Sequence, residues 1–158
     1  MNDVIEHKIN DRSLSFSRLL DAPRELVWQV WTDPEHVVHW WGPDGFTNSN
    51  REMDVRPGGT WRFIMHGPDG TDYKNRVHYL EVVEPERLVY AHMGEDETED
   101  IHFHATVTFE EHDGKTQLTL RMEFKTAEEL RHVVEEFGAR EGAVQHLGRL
   151  AAYLEALR

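Results

Sequence analysis

Apolar and polar residues alternate through much of the segment between residues 13 and 124, as in strands that bury one face of a sheet. Polar residues separate the apolar ones in the two clearest cases, which are Ile101, Phe103, Ala105, Val107 and Phe109, and Leu118, Leu120, Met122 and Phe124. The pattern predicts about seven strands, near residues 13–20, 46–55, 60–66, 73–83, 87–92, 101–111 and 116–124. Residues 1–12 are polar and are expected to form a lead-in without a strand.

Short links rich in glycine, proline and aspartate connect most of these strands, and such links favour tight turns between antiparallel neighbours. The segment after the first strand differs, because it carries two helix signals. Asp21-Ala22-Pro23 begins one helix, and Asp33-Pro34-Glu35 begins a second that is expected to run to about Trp41. Two short helices therefore interrupt the sheet after its first strand.

The longest predicted helix is the C-terminal segment from Ala139 to Leu157. Apolar residues recur in it at steps of three and four, namely Ala143, Leu147, Leu150, Leu154 and Leu157. This apolar face is expected to be buried, and the predicted sheet is the element that can pack against it. A shorter helix precedes it and opens with a capping box of Thr126 and Glu129. Glycine inside a helix costs about 1 kcal/mol relative to alanine, so we expect a break near Gly138.

Length and composition fit one domain that spans residues 1–158, with 39% hydrophobic residues and no cysteine. The lack of cysteine in the sequence excludes disulfides and thiolate metal sites. The sequence contains no apolar run as long as the roughly 18 residues of a membrane span. Its first residues also lack the order of a signal peptide, so we expect a soluble cytoplasmic protein. The net charge of −13 opposes binding to nucleic acid and to anionic membranes.

Several motifs occur in an order that resembles a known family. They are Ala22-Pro23-Arg24-Glu25-Leu26-Val27-Trp28, Trp31-Thr32-Asp33-Pro34, Trp40-Trp41-Gly42-Pro43, Asp54-Val55-Arg56-Pro57-Gly58-Gly59-Thr60-Trp61-Arg62-Phe63, Pro68-Asp69-Gly70 and Val83-Glu84-Pro85-Glu86-Arg87-Leu88-Val89. From about residue 12 to 157 the chain resembles bacterial relatives of the C-terminal domain of the activator of the ninety-kilodalton heat-shock protein ATPase. That family lies within the START-like (SRPBCC) superfamily.

The resemblance implies an α+β helix-grip fold, START-like and Bet v 1-like. In this fold a curved antiparallel sheet wraps around the long C-terminal helix, two short helices close one end, and an apolar cavity lies between sheet and helix. Members of the wider superfamily bind lipids, hormones or polyketides there. We therefore predict that the chain binds a hydrophobic or amphipathic small molecule in such a cavity and uses no cofactor.

Two other functional classes stay open. One is a protein-interaction module like the co-chaperone, with a chaperone as its partner. The eukaryotic co-chaperone has a further N-terminal domain that is not seen in this sequence, which weakens this expectation. The other is a cyclase- or hydrolase-type enzyme that uses the same cavity. Self-association through an exposed edge strand is a further open partner interaction.

An aromatic and methionine-rich set of residues is the predicted lining of the cavity. Its members are Trp40, Trp41, Phe46, Met53, Trp61, Phe63, Met65, Tyr79, Tyr90 and Phe103. Ordinary core packing is the main alternative for each of them, because aromatic residues dominate cores. Adjacent helix positions point about 100° apart. We therefore expect one of Trp40 and Trp41 at most to bury fully, with the other at the cavity entrance.

Histidine is frequent, with 11 in the chain. His102 and His104 lie two apart on a predicted strand and share a face, where His92 could approach to complete a metal site. A third ligand of fixed spacing is missing, so we predict no metal site. If Phe103 and Ala105 face the helix, both histidines face solvent.

No hydrolase nucleophile motif and no phosphate-binding loop occurs in the sequence, so we predict no catalytic residue. An enzyme would instead turn titratable groups into the cavity, and Glu81, His78 and Arg62 are the candidates for that role. Glu81 and Arg62 are expected to be solvated. The run Glu95–Asp100 holds five acids in six positions and is expected to form a solvated loop.

Overall fold

The computed structural model describes residues 4–94 and 101–157, and in these residues the chain forms one eight-stranded sheet and four helices. The strands are β1 (Ile5–Asn10), β2 (Ser13–Leu20), β3 (Thr47–Met53), β4 (Thr60–His66), β5 (Asp72–Val83), β6 (Arg87–Gly94), β7 (Phe103–His112) and β8 (Lys115–Glu123). The helices are α1 (Arg24–Thr32), α2 (Pro34–Val37), α3 (Ala127–Phe137) and α4 (Ala139–Ala156). The sheet order is β1-β2-β8-β7-β6-β5-β4-β3, and all described neighbours are antiparallel.

Strand β1 brings the count to eight where the alternation predicted about seven. It lies at the edge of the sheet and pairs with β2, with Ile5 opposite Ser17. Ile5 is 56% exposed, so burial of this side chain does not hold the strand to the sheet, and the backbone pairing with β2 does. In the connecting turn, Asn10 Oδ1 accepts a hydrogen bond from the Arg12 N–H at 2.9 Å. The expected polar lead-in is therefore partly a strand, and its sequence lacked the period-2 signal because an edge strand does not need one.

The pairing register aligns apolar side chains of neighbouring strands on one face. Phe16 lies opposite Leu120, Leu120 opposite Val107, and Val107 opposite Leu88. Directly opposite residues of antiparallel strands share a face, and all four of these side chains are buried. They form a continuous apolar surface across β2, β8, β7 and β6, which is the inner face of the sheet.

Helix α4 places its apolar stripe in the core, as its periodicity predicted. Its buried residues include Ala143, Leu147, Leu150 and Leu154. Leu157 lies one residue beyond the helix and is 42% exposed, so the buried stripe ends one turn earlier than expected. The predicted break at Gly138 is present, with this residue in the left-handed conformation at a φ of 62°. The Thr126 side chain accepts from the Glu129 N–H at 3.1 Å, as the capping box required.

The two short helices follow β2, as expected, but α2 is shorter than the sequence indicated. It ends at Val37, and residues 38–40 form a turn before Trp41. The acidic run Glu95–Asp100 lies outside the described residues. Across the ranges that the structure describes, none of the helices has both the length and the apolar character of a membrane span.

Candidate functional site

A cavity of about 550 Å³ lies between the inner face of the sheet and the first half of α4. The segment after α2, strands β4, β6, β7 and β8, and helices α3 and α4 all contribute to its wall. The lining residues are Trp41, Gly42, Pro43, Met65, Tyr90, His92, His102, Phe103, Leu120, Met122, Phe124, Val133, Ala139, Gly142, Ala143 and His146. This described wall contains no aspartate, glutamate, lysine or arginine, and its polar side chains are three histidines and one tyrosine.

The structure places four of the ten predicted lining residues at this cavity, namely Trp41, Met65, Tyr90 and Phe103. The other six have different positions. Trp40, Trp61, Phe63 and Tyr79 are buried in the core, and Met53 packs partly buried against it. Phe46 is half-buried and packs on Tyr73, with ring centroids 6.0 Å apart. Whether the four cavity residues contact a ligand stays a prediction.

The tryptophan pair departs from the expectation that one ring would stay accessible. Trp40 is fully buried and Trp41 is 6% exposed. Both lie beyond the end of α2, so the 100° separation of helical neighbours does not apply to them. The Trp40 indole N–H donates to the Val30 carbonyl oxygen at 3.0 Å. The Trp41 ring packs edge-on against Trp61, with ring centroids 4.7 Å apart, and Trp41 forms part of the cavity wall.

Arg149 on α4 fixes the segment that follows α2. One guanidinium nitrogen donates to the carbonyl oxygens of Trp41, Gly42 and Pro43 at 3.0, 3.1 and 2.7 Å. The other terminal nitrogen donates to the Phe46 carbonyl oxygen at 3.0 Å. Partial burial lowers the pKa of Arg149, but a guanidinium stays charged in proteins. One side chain therefore holds the backbone of a segment that forms part of the cavity wall.

His146, one turn before Arg149 on α4, makes a second contact with this segment. Its Nδ1 accepts a hydrogen bond from the Gly42 N–H at 2.9 Å, which assigns the ring proton to Nε2. Burial and the positive charge of Arg149 lower the pKa of His146 to about 3, so the ring is neutral at neutral pH. Gly42 has a φ of +93°, and a Cβ there would lie 2.7 Å from the Met65 Cε. Close packing and backbone conformation both favour glycine at this point.

His92 on β6 is the second neutral imidazole in the wall. Its ring stacks on Phe103, with centroids 4.9 Å apart and planes 7° apart. Burial, together with smaller effects of the neighbouring His102 and His146, lowers the pKa of His92 to about 3. The His92 Nδ1 is buried and has no hydrogen-bond partner among the described residues. Buried polar atoms in native structures normally have a partner, so this nitrogen is an unsatisfied group in a residue that lines the cavity.

The two histidines singled out from the sequence have different surroundings. His104 is exposed on the outer face of the sheet, opposite Ala91 and Glu123. His102 is also exposed, but it precedes β7, lines the cavity and lies 5.6 Å from the His92 ring between centroids. Among the described residues, no group of three or more histidine, cysteine, aspartate or glutamate side chains is arranged to hold a metal ion.

The three titratable residues considered for an enzyme are not among the residues that line the cavity. Glu81 is exposed and pairs with Arg87 at 3.0 Å. A register irregularity between Tyr79 and Glu81 explains how Tyr79 is buried while the residue two positions later is solvated. Arg62 lies on the outer face and pairs with the exposed Glu52 at 3.1 Å.

His78 is the third of these residues, and it also lies on the outer face. Its neighbours on β5, Val77 and Tyr79, are both buried on the inner side, and the side chains of a strand alternate between its faces. The enzyme alternative would need titratable groups that converge in the cavity, and Glu81, Arg62 and His78 do not supply them.

Ser49, His66 and Asp72 form a hydrogen-bonded triad, which no sequence motif predicted. Ser49 Oγ lies 2.7 Å from His66 Nε2, and His66 Nδ1 lies 2.7 Å from Asp72 Oδ1. The three residues come from β3, β4 and β5 and lie on the outer face. The side chains of His66 and Asp72 are 35% and 56% exposed, and Ser49 is exposed as well. Water reaches all three groups, so the shielding that strengthens nucleophilic catalysis is missing there.

Sequence reasoning missed the contribution of α4 to the cavity, although a signal was present. The inward positions in the first half of the helix carry the small residues Ala139, Gly142 and Ala143, whereas the second half carries leucines. Small side chains leave space against the sheet where leucines fill it. His146 has the helical spacing of this stripe, three residues after Ala143. Its place on the buried face was therefore readable, but its contact with Gly42 was not.

Comparison with known proteins identifies the family and the fold of the chain. The family model of the activator of Hsp90 ATPase homolog 1-like proteins matches residues 21–155. A crystal structure from Mycobacterium smegmatis shares 31% sequence identity, with a TM-score of 0.86 over 99% of this chain and 98% of that chain. A solution structure from Arthrobacter aurescens shares 26% identity, with a TM-score of 0.88 over 96% and 91% of the two chains.

More distant structures share the fold. The AHSA1 protein of Silicibacter pomeroyi is 22% identical, with a TM-score of 0.73 over 92% of this chain and 99% of that chain. No curated protein matches the chain. The described architecture and these neighbours agree on an α+β helix-grip fold, with an antiparallel sheet and a long C-terminal helix.

Proposed function

The chain belongs to the activator of Hsp90 ATPase homolog 1-like family, and from that premise we propose that it binds a hydrophobic or amphipathic small molecule. The proposed binding site is the cavity beneath the first half of α4, and residues 1–158 act as one binding domain. The family and the fold support a START-like binding domain, whereas the identity of the ligand is our inference.

One observation carries the proposal. The described cavity has a volume of about 550 Å³ and a wall that is almost entirely apolar. Binding sites for drug-sized molecules usually have volumes of about 300–1,000 Å³, with apolar walls and a few polar groups. In α4, small residues face this space where the same helix uses leucine further along. The small residues of α4 therefore leave a space beside the sheet that larger side chains would fill.

Gly142 offers a direct way to test the cavity without removing any existing contact. A Cβ at this position would meet no atom within 4 Å, so Gly142→Leu should fill part of the cavity and keep the fold. Ala152→Leu is a matched control, because Ala152 is exposed on the same helix and does not line the cavity. Both variants place a leucine on α4, but only the leucine at position 142 extends into the cavity.

Native mass spectrometry of the purified protein, compared with its denatured mass, would detect a bound molecule. We expect an adduct in the wild type and in Ala152→Leu, and its loss in Gly142→Leu. Thermal shifts with fatty alcohols, fatty acids and aromatic compounds would supply a ligand if the protein is purified empty. If no adduct forms and no compound raises the melting temperature, the cavity is a packing feature. A pull-down with a chaperone ATPase would then test the interaction module.

A further inference from the structure

The described wall of the cavity contains hydrogen-bonding side chains but no aspartate, glutamate, lysine or arginine, and this combination restricts the chemistry of the ligand. The inference developed here rests on the proposed binding function and deepens it. His92 and His146 are the two neutral imidazoles of this wall, and both residues line the described cavity. They approach from opposite sides, since His92 belongs to the sheet and His146 to α4.

His146 is available as a hydrogen-bond donor. Its Nδ1 is occupied by the Gly42 N–H at 2.9 Å, so the neutral ring carries its proton on Nε2. A donor in an apolar wall favours an oxygen acceptor on the ligand, because hydrogen bonds are stronger in a low-dielectric site.

His92 is the second imidazole with an unused hydrogen-bonding group. Its Nδ1 is buried without a hydrogen-bond partner in the described part of the chain, and its stacking on Phe103 fixes the ring plane. A buried nitrogen without a hydrogen-bond partner destabilises the folded chain. A ligand group that can both donate and accept a hydrogen bond would match the His92 ring and the Nε2–H of His146.

A charged ligand group would find no counter-ion in this wall. Arg149 is the nearest candidate cation on α4, but its terminal nitrogens already donate to four backbone carbonyl oxygens of the segment after α2. The net charge of −13 further opposes the entry of anions. Burying an unpaired carboxylate in an apolar site is expensive.

We propose that the ligand is an uncharged, largely apolar alcohol or phenol whose hydroxyl group lies at His92 and His146. A hydroxyl donates one hydrogen bond and accepts others, so it matches both imidazoles. A fatty-acid carboxylate or an organic phosphate does not match them.

Naphthalene, 2-naphthol and 2-naphthoate provide the test, because they share one ring system and differ in the polar group. At pH 7.5 we expect the wild type to bind 2-naphthol at least tenfold more tightly than naphthalene or 2-naphthoate, measured by calorimetry or ligand fluorescence. His92→Phe keeps an aromatic ring on Phe103 and removes Nδ1. This variant should bind naphthalene as the wild type does and reduce the hydroxyl preference to less than threefold. His92→Leu makes the same test if the phenylalanine variant folds poorly.

Two patterns would overturn the inference while leaving the binding function intact. One is that 2-naphthoate binds as tightly as 2-naphthol. The other is that 2-naphthol and naphthalene bind equally, or that His92→Phe retains the preference. In each case Gly142→Leu would still abolish binding. If none of the three compounds binds, or if Gly142→Leu has no effect on their affinity, the proposed binding site itself is wrong and this inference fails with it.

Discussion

Replacing Arg149 with methionine is the perturbation for which the structure gives the sharpest expectation. Methionine has a similar apolar stem, so it keeps much of the packing of the arginine stem and removes the guanidinium. Four hydrogen bonds are lost, to the carbonyl oxygens of Trp41, Gly42, Pro43 and Phe46. These oxygens lie in the segment that forms part of the cavity wall.

The magnitude follows from the kind of bond. A hydrogen bond to a charged group contributes about 1.5–3 kcal/mol, but bonds from one side chain are not independent. Arg149 is half-buried, so water can replace part of what is lost. We expect the free energy of unfolding to fall by about 3 kcal/mol, which lowers the melting temperature of a chain of this length by roughly 6–12 °C.

Urea denaturation and thermal unfolding would measure the change. Arg140→Met is the control, because Arg140 lies on the same helix, is exposed, and makes a surface ion pair with Glu6 at 2.7 Å. Such pairs contribute about 0–1 kcal/mol, so this variant should remain close to the wild type. Arg149→Lys should recover part of the loss, because one ammonium group cannot reach both ends of the segment.

The reasoning would be refuted if Arg149→Met lowered the free energy of unfolding by less than 1 kcal/mol without a change in the denaturant slope. The same conclusion would follow if Arg140→Met were as destabilising as Arg149→Met. Either result would mean that the segment after α2 is held by its own packing, and that the guanidinium contacts are replaceable by water.

Three further predictions concern the helices and the pH dependence of stability. Gly142→Ala and Gly148→Ala should each stabilise the protein by about 0.5–1 kcal/mol through helix propensity, since a Cβ meets nothing within 4 Å at the first position and Arg18 Nη1 at 4.0 Å at the second. Chemical denaturation measures both, and a loss of stability in either variant would contradict the helical geometry. Thr126→Ala should cost about 1 kcal/mol by removing the N-cap of α3, whereas Thr126→Ser should not; equal melting temperatures would show that the cap contributes nothing. Burial depresses the pKa of His146 to about 3, against an ordinary 6.5, so between pH 7 and pH 5 the unfolded state binds more protons than the folded state. The contribution of His146 to the free energy of unfolding should therefore fall by about 2 kcal/mol between pH 7 and pH 5. His146→Gln should show a shallower decline over this range, and an unchanged slope would count against burial of a neutral ring.

Local patterns predicted most of the fold. The alternation of Phe103, Ala105 and Val107 identified an inward face, and the period of Leu147, Leu150 and Leu154 identified the buried side of α4. These signals are readable because strand and helix geometry repeat every two and every 3.6 residues. Strand β1 was not predicted, because it lies at the edge of the sheet and pairs with β2 through its backbone.

The candidate site was predicted less well. The structure places Trp41, Met65, Tyr90 and Phe103 at the cavity, whereas Trp61, Phe63 and Tyr79 have the same composition signal and lie in the core. Residue type separates polar from apolar surroundings, but it does not tell a filled core from a lined cavity. That difference depends on which side chains of α4 oppose each strand.

The sequence by itself determined most of the strands and helices, the antiparallel pairing of strands joined by short links, the N-cap of α3 and the break at Gly138, because each depends on residues close together in the chain. The tertiary structure decided that His146 meets Gly42 and that Glu81 turns outward after an irregularity in β5. It also decided that Arg149 holds the segment after α2. Gly42 and His146 are 104 positions apart. Contacts at this separation are set by strand register and by helix packing against the sheet, neither of which leaves a periodic signal in the sequence.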